Sequence, residues 1–297
     1  PLTSCEAAYA CSFWGTITAR DTFGNMADFA GTTALSVMGN PSTTGTITPT
    51  ETGTWTEGRW TGSITITTVL TEAVITATHS SGVSGTSNPF NLTPGPLDHI
   101  NLIPAYATTT IEGTISFTCQ GVDEYGNAIE GLTYNWESLC GTFSSTQGTS
   151  TIFIAGTLAT TGTISVSSGV KTAIATVTIL PGTLTFLSIS PAPGTMTAGS
   201  TLTLTAIGYD AYGNQLPTIT CSWQTNIGTI TYELPGTTAY LYATTAGTLI
   251  ATVTSNGIAT STTIIVNLAS LHHFVFSTIP DTIAGVNFTF KVTPKDE

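Results

Sequence analysis

Residues 122–145 read VDEYGNAIEGLTYNWESLCGTFSS. The opening Asp123-x-aromatic-Gly126-Asn127 is turn chemistry. An Asp side chain accepts backbone N–H groups, Gly supplies a positive φ, and Asn tolerates the left-handed region. After the turn, Leu132, Tyr134 and Trp136 alternate with Thr133 and Asn135. Period two marks a half-buried strand with apolar side chains inward and Thr or Asn outward. The same alternation runs upstream, where Ile115, Phe117 and Cys119 interleave with Ser116, Thr118 and Gln120. It resumes downstream at Ile164 and Val166.

The turn recurs. It reads DTFGN at 21–25, DEYGN at 123–127 and DAYGN at 210–214, with spacings of 102 and 87 residues. Trp136 follows Asp123 by the same 13 residues that separate Trp223 from Asp210. Gly141-Thr142-Phe143 and Gly228-Thr229-Ile230 share a register too. So do the leads PGPLDHINLIP from Pro94, PGTLTFLSISP from Pro181 and LASLHHFVFSTIP from Leu268. Several independent anchors in one register identify a tandem array.

Boundaries placed before these leads divide the chain into 1–93, 94–180, 181–267 and the opening strands of a fourth copy at 268–297. Short strands at even spacing, with turn clusters between them and no helical stretch, predict β-sandwiches. The expected fold is all-β: tandem immunoglobulin-like sandwiches in an extended rod, three of them spanning roughly 100 Å. The first copy has a shorter lead before Asp21 than the others and is expected to lack its first strand. Beginning and ending out of phase with the repeats, the chain reads as a fragment or a cleavage product.

Composition narrows the function. Of 297 residues, 66 are threonine and only 7% are charged. Threonine suits a pleated strand and keeps an exposed face wet without charge. With 40% of residues hydrophobic, the chain has material for packed cores rather than a disordered stalk. Five Lys plus Arg against 17 Asp plus Glu, a net charge of −12, argue against nucleic acid and anionic membrane surfaces. No apolar run is long enough for a transmembrane helix, so no membrane insertion is expected in this stretch. There is no G-x-S-x-G elbow, no Gly-rich phosphate loop and no H-E-x-x-H, and none of the histidines has an evident catalytic partner; no enzymatic activity and no cofactor are expected.

The run VDEYGNAIEGLTYNWES…GTFSS resembles the bacterial Ig-like domains of invasin- and intimin-type adhesins. RDTFGNMADFAGTTALSV and ITATHSSGVSGTSNPFNL in the first copy, and the fourth lead, resemble a sister class found in giant prokaryotic surface proteins. The resemblance implies an extracellular, cell-surface location and a structural role in a surface layer, fibre or adhesin stalk. Its alternatives are carbohydrate- or receptor-binding adhesin modules, or the non-catalytic appendage of a secreted enzyme. Partners would be other copies of the chain, packed laterally or joined head to tail by strand addition, and carbohydrate or a host surface. With few lysines to block edge pairing, assembly is favoured over a free monomer.

Candidate sites follow from residue type. The Asp turns read in two ways. One is an Asx-type turn. The other is a calcium site, with Asp98, Asp123, Glu124, Asn127, Asp210 and Asn214 as hard oxygen ligands. In an oxidising compartment Cys5 with Cys11, and Cys119 with Cys140, would close short loops. Cys221 then remains as a small buried residue. Asn91 and Asn287 head N-x-Thr sequons. Trp136 and Trp223 point inward. Trp55 and Trp60 flank the turn at 56–59, where exposed rings would stack on a sugar. His99 and His273 lie in the leads and are expected to pack or hydrogen-bond there.

Overall fold

The computed structural model describes residues 4–6, as backbone only, and residues 12–296. Among these there is no helix; every regular element is a strand. The chain forms two compact units. The first holds 1–109, 113–155 and 161–178, and the second holds 110–112, 156–160 and 179–297.

The second repeat folds into two four-stranded sheets. One has the order His99–Ile103, Thr114–Val122, Ser150–Ala155, Gly141–Phe143. The other runs Tyr106–Thr110, Lys171–Leu180, Thr160–Ser168, Asn135–Ser138. The third repeat has the same two orders. One is Phe186–Ser190, Thr201–Tyr209, Thr238–Tyr242, Thr229–Tyr232. The other is Gly194–Thr197, Ile258–Asn267, Gly247–Ser255, Ser222–Thr225. Two sheets of this kind close face to face over their apolar sides, which is the Ig-like sandwich.

The first repeat departs from this plan. Among the described residues, its sheet of Phe13–Thr18, Arg59–Ile66 and Ile47–Thr48 has three strands where the corresponding sheets have four. Ser4–Glu6 pairs in parallel with Phe90–Thr93, as Gly194–Thr197 does with Ile258–Asn267. After the third repeat, Leu271–Phe276 pairs with Val292–Asp296 as a two-stranded sheet.

Period two governs each core. Along Thr114–Val122, Phe117 and Cys119 are buried while Thr114, Ser116 and Thr118 are exposed. Along Thr201–Tyr209, Leu204 and Ala206 are buried while Thr201, Thr203 and Thr205 face out. The second core is aromatic. Phe117 meets Phe153 edge to face, with ring centres 6.5 Å apart, and Phe143 lies 5.7 Å from Phe153 and 6.1 Å from Trp136. The third core is aliphatic, built on Leu204, Leu241, Leu249 and Ile264 around Trp223. Trp136 and Trp223 hold the same post, and each indole N–H donates to a glycine carbonyl, Gly148 at 2.9 Å and Gly236 at 2.7 Å. A buried tryptophan keeps its one polar atom satisfied in this way.

Candidate functional site: the Asp–Asn turns

The three motif copies adopt one local structure. In the second, the Asp123 N–H donates to the Asn127 carbonyl at 3.0 Å and the Gly126 N–H donates to the Asp123 carbonyl at 3.0 Å. The first and third copies repeat both bonds, between Asp21 and Asn25, Gly24 and Asp21, Asp210 and Asn214, and Gly213 and Asp210. Gly24, Gly126 and Gly213 sit at φ of 86, 84 and 83°, and no heavy atom lies within 4 Å of where a Cβ would stand. Glycine is therefore there for backbone conformation and not for space.

Each Asp carboxylate is filled by N–H donors. Asp123 Oδ1 accepts the backbone N–H of Tyr125 at 3.0 Å and of Asn127 at 2.8 Å. Asp210 Oδ1 accepts those of Tyr212 and Asn214, both at 2.9 Å. The second oxygen takes the N–H of the Pro-Gly lead: Gly95 to Asp123 at 3.1 Å, and Gly182 to Asp210 at 2.9 Å. It also takes the Asn side-chain amide, at 2.8 Å in both copies. The Asp turn thus ties each lead to its own sandwich.

These bonds set the charge state. Burial pushes the Asp210 carboxyl up, but the N–H of Gly182, the Asn214 amide and the backbone N–H of Asn214 and Tyr212 together bring it down to about 2. Asp123 is also lowered: burial raises it, and Asn127, Gly95 and Tyr125 more than offset this. A carboxyl depressed in the folded chain contributes stability above its unfolded value of 3.8, and that contribution is lost as pH falls through the folded value. The melting temperature of the chain is therefore expected to hold above pH 5 and to fall between about pH 4 and pH 2. Asp210→Asn should flatten part of that slope. Thermal melts followed by tryptophan fluorescence across this range check it.

The Asn side chains point a second way. Asn127 Nδ2 donates to the Thr67 carbonyl at 2.9 Å, and the Val69 N–H donates to Asn127 Oδ1 at 3.2 Å, all inside the first unit. Inside the second unit, Asn214 Nδ2 donates to the Thr157 carbonyl at 2.8 Å, and the Ala159 N–H donates to Asn214 Oδ1 at 2.9 Å. This outward use was not legible in the motif. Nor was the Tyr212 hydroxyl donating to Glu112 at 2.7 Å, a contact that raises the phenol above its ordinary value.

Several sequence expectations are corrected. The calcium candidates do not assemble. Asp123 with Asn127 and Asp210 with Asn214 spend their oxygens on N–H groups, Asp98 binds the His99 ring at 2.9 Å and Lys171 at 3.6 Å, and Glu124 is exposed. Among the described residues no group of three His, Cys, Asp or Glu could hold a metal ion. Trp55 and Trp60 are 5% and 6% exposed and belong to the first core, so they are not the exposed rings that stacking on a sugar called for. The turn between them exists, but both rings fold inward; Trp55 donates to Thr52 Oγ1 at 2.9 Å and meets Phe29 edge to face. Cys119 and Cys140 are unbonded thiols. Cys119 lies against the Gly148 carbonyl, its thiol pushed up to about 11 by burial, and Cys140 is partnered by Ser138 Oγ at 3.2 Å. Of the Cys5–Cys11 pair, Cys11 and the Cys5 side chain lie outside what the structure describes.

Other candidates keep their places. Asn91 and Asn287 are exposed, and Asn91 Oδ1 accepts the Glu72 N–H at 2.9 Å. Cys221, Trp136 and Trp223 are buried. Beside the edge strand Phe13–Thr18 lies a cleft of about 600 Å³, lined by Phe13, Ile17, Phe29, Trp55, Ile75 and His79.

No family model matches the chain, and no curated protein matches it. Among solved structures, it is similar to invasin, a bacterial integrin-binding protein, at 15% identity and a TM-score of 0.48. That match covers 98% of this chain and 66% of invasin, so the chain spans just under two thirds of that protein. It is also similar to the Escherichia coli adhesin FdeC, at 18% identity and 0.42, over 91% of this chain and 95% of FdeC. The surface-layer protein SbsC matches at 17% and 0.34, over 88% of this chain and 38% of SbsC. By its own sheet order and register the chain is a tandem array of Ig-like sandwiches, similar over most of its length to bacterial adhesins and a surface-layer protein.

Proposed function

We propose that the repeats form part of a structural protein at the cell surface, in a surface layer, fibre or adhesin stalk, and that they work without catalysis. The observation that carries this reading is one architecture repeated with its recurrent polar groups turned onto its own backbone. An enzyme or metal protein holds such groups free for a ligand, whereas both buried Asp carboxylates are filled by N–H donors. Outward faces rich in threonine and poor in charge support packing between copies of the chain, since few lysines oppose edge pairing. The exposed sequons at Asn91 and Asn287 accord with a location outside the cell.

Negative-stain electron microscopy of the purified chain tests this. Ordered fibres or sheets are expected, unchanged by a calcium chelator. Isolated particles at every concentration would overturn the assembly reading, and dissolution in chelator would restore a metal to the turns.

One feature favours the second reading, carbohydrate binding. Tyr240 and Tyr242 stand 51% and 42% exposed on the same side of one strand. Across the ladder Tyr240 lies between Thr203 and Thr231, and Tyr242 between Thr201 and Thr229. Two aromatic rings among hydroxyls and no charges suit a neutral glycan. Retention on a neutral polysaccharide matrix that is lost in Tyr240→Ala/Tyr242→Ala would promote this reading over the first.

A further inference from the structure

We infer that Asn127 and Asn214 are a docking site that reads main chain only, so that a repeat can take the turn before it whatever side chains that turn carries. The two contacts share one geometry. The amide donates to the carbonyl of residue i and accepts the N–H of residue i+2: Thr67 and Val69 in one case, Thr157 and Ala159 in the other. The turns themselves, Thr67-Thr68-Val69 and Thr157-Leu158-Ala159, differ in chemistry at the middle position. Thr68 uses its hydroxyl elsewhere, accepting the Thr46 N–H at 3.0 Å, and Leu158 is 67% exposed. Neither middle side chain has a bond to the Asn.

The Asp turn orients the reader. An Asn amide has two donors on one end and an acceptor on the other, and its direction is set by its partners. Here Asp123 Oδ2 and Asp210 Oδ2 each hold Nδ2 at 2.8 Å, which directs the second N–H and the carbonyl oxygen outward as a fixed pair. The first copy shows that this presentation belongs to the turn itself. Asn25 makes the same inward bond to Asp21 Oδ2, at 3.1 Å, and its backbone N–H reaches Asp21 Oδ1 at 2.9 Å. Asn25 is nevertheless exposed and, among the described residues, makes no outward bond, whereas Asn214 is buried. The partner this site fits is an Ig-like repeat that offers a strand-to-strand turn with a free C=O and, two residues on, a free N–H. Because the Asn reads no side chain of the turn, this contact itself accepts turns of different sequence, as Thr68 and Leu158 at the middle position show. The inference holds whatever surface the array serves.

Hydrogen exchange on the whole 297-residue chain reads the two bonds directly. In Asn214→Ala the Ala159 amide should exchange at least tenfold faster while Leu204 and Leu241 keep their protection; in Asn127→Ala the same should happen at Val69. Leu158→Ser, which changes only the side chain of the turn, should leave Ala159 as it was. Asn25→Ala, in the copy without an outward bond, reports what the amide contributes to its own turn, and the effects at Ala159 and Val69 must exceed it. Should Asn214→Ala unfold the third sandwich, Asn127→Ala and Leu158→Ser still decide the matter. Unchanged exchange at Val69 in Asn127→Ala, or faster exchange at Ala159 in Leu158→Ser, overturns main-chain docking.

Discussion

Phe117→Ala will destabilise the second sandwich by about 3–5 kcal/mol, the usual range for removing a fully buried aromatic ring. Phe117 has no exposed surface and lies between Phe153, 6.5 Å away, and Trp136, 6.4 Å away. Those rings are held by their own strands and by the Trp136 bond to Gly148, so they cannot close over the gap. The loss thus combines transfer of the ring to water with a cavity that stays open. For a domain of this size each kcal/mol moves the midpoint by about 4–8 °C, so the second sandwich should melt at least about 12 °C lower. Ser116→Ala, one residue away on the outward face, should stay within about 0.5 kcal/mol. Because the repeats carry separate cores, the melt is read through the Trp136 environment rather than as a single transition. Equal effects of the two substitutions would refute the assigned faces of Thr114–Val122.

Gly236→Ala should cost the third sandwich about 3 kcal/mol or more. Gly236 sits at φ 81°, where an L side chain costs about 1–2 kcal/mol. A Cβ there would also meet the Cys221 carbonyl oxygen, which is backbone and cannot swing away. Nor can the turn drift outward, because the Gly236 carbonyl accepts the Trp223 indole N–H at 2.7 Å and anchors the core to this point. Gly213→Ala separates the two causes. Its φ of 83° lies within 2° of that of Gly236, yet nothing lies within 4 Å of the added carbon, so only the conformational cost of about 1–2 kcal/mol remains. Urea unfolding followed through Trp223 fluorescence compares them, and equal losses would remove the clash from the account.

The limits of the sequence reading are visible in particular residues. Trp136 and Trp223 were placed in the core by parity along a strand, and parity holds wherever the strand is regular. Trp55 precedes a real turn, where alternation no longer fixes direction, and its ring turns inward against Phe29. Trp60 is the second residue of the strand Arg59–Ile66 and is buried on the same alternation as Ile64 and Ile66. Cys119 is buried on the strand Thr114–Val122, while Cys140 lies in the link from Asn135–Ser138 to Gly141–Phe143, where it is partnered by Ser138, and both thiols are free. The Asp residues were readable as Asx turns because their partners lie two and four residues away. Their further bonds to Gly95 and Gly182 bridge 28 residues and were not.

The strand content, the inward and outward faces, the turn glycines and the tandem register were therefore determined by the sequence alone. Each depends on contacts within a few residues or on the repetition of such contacts, and local sterics express them directly. What only the tertiary structure decided is where the polar groups of the motif are spent. Asn127 meets Thr67 and Val69, and Asn214 meets Thr157 and Ala159, across more than 50 residues of chain. The turn residues they meet contribute main-chain atoms, which every residue other than proline carries alike. A contact made through the common backbone leaves no mark in side-chain identity, so folding alone could reveal it.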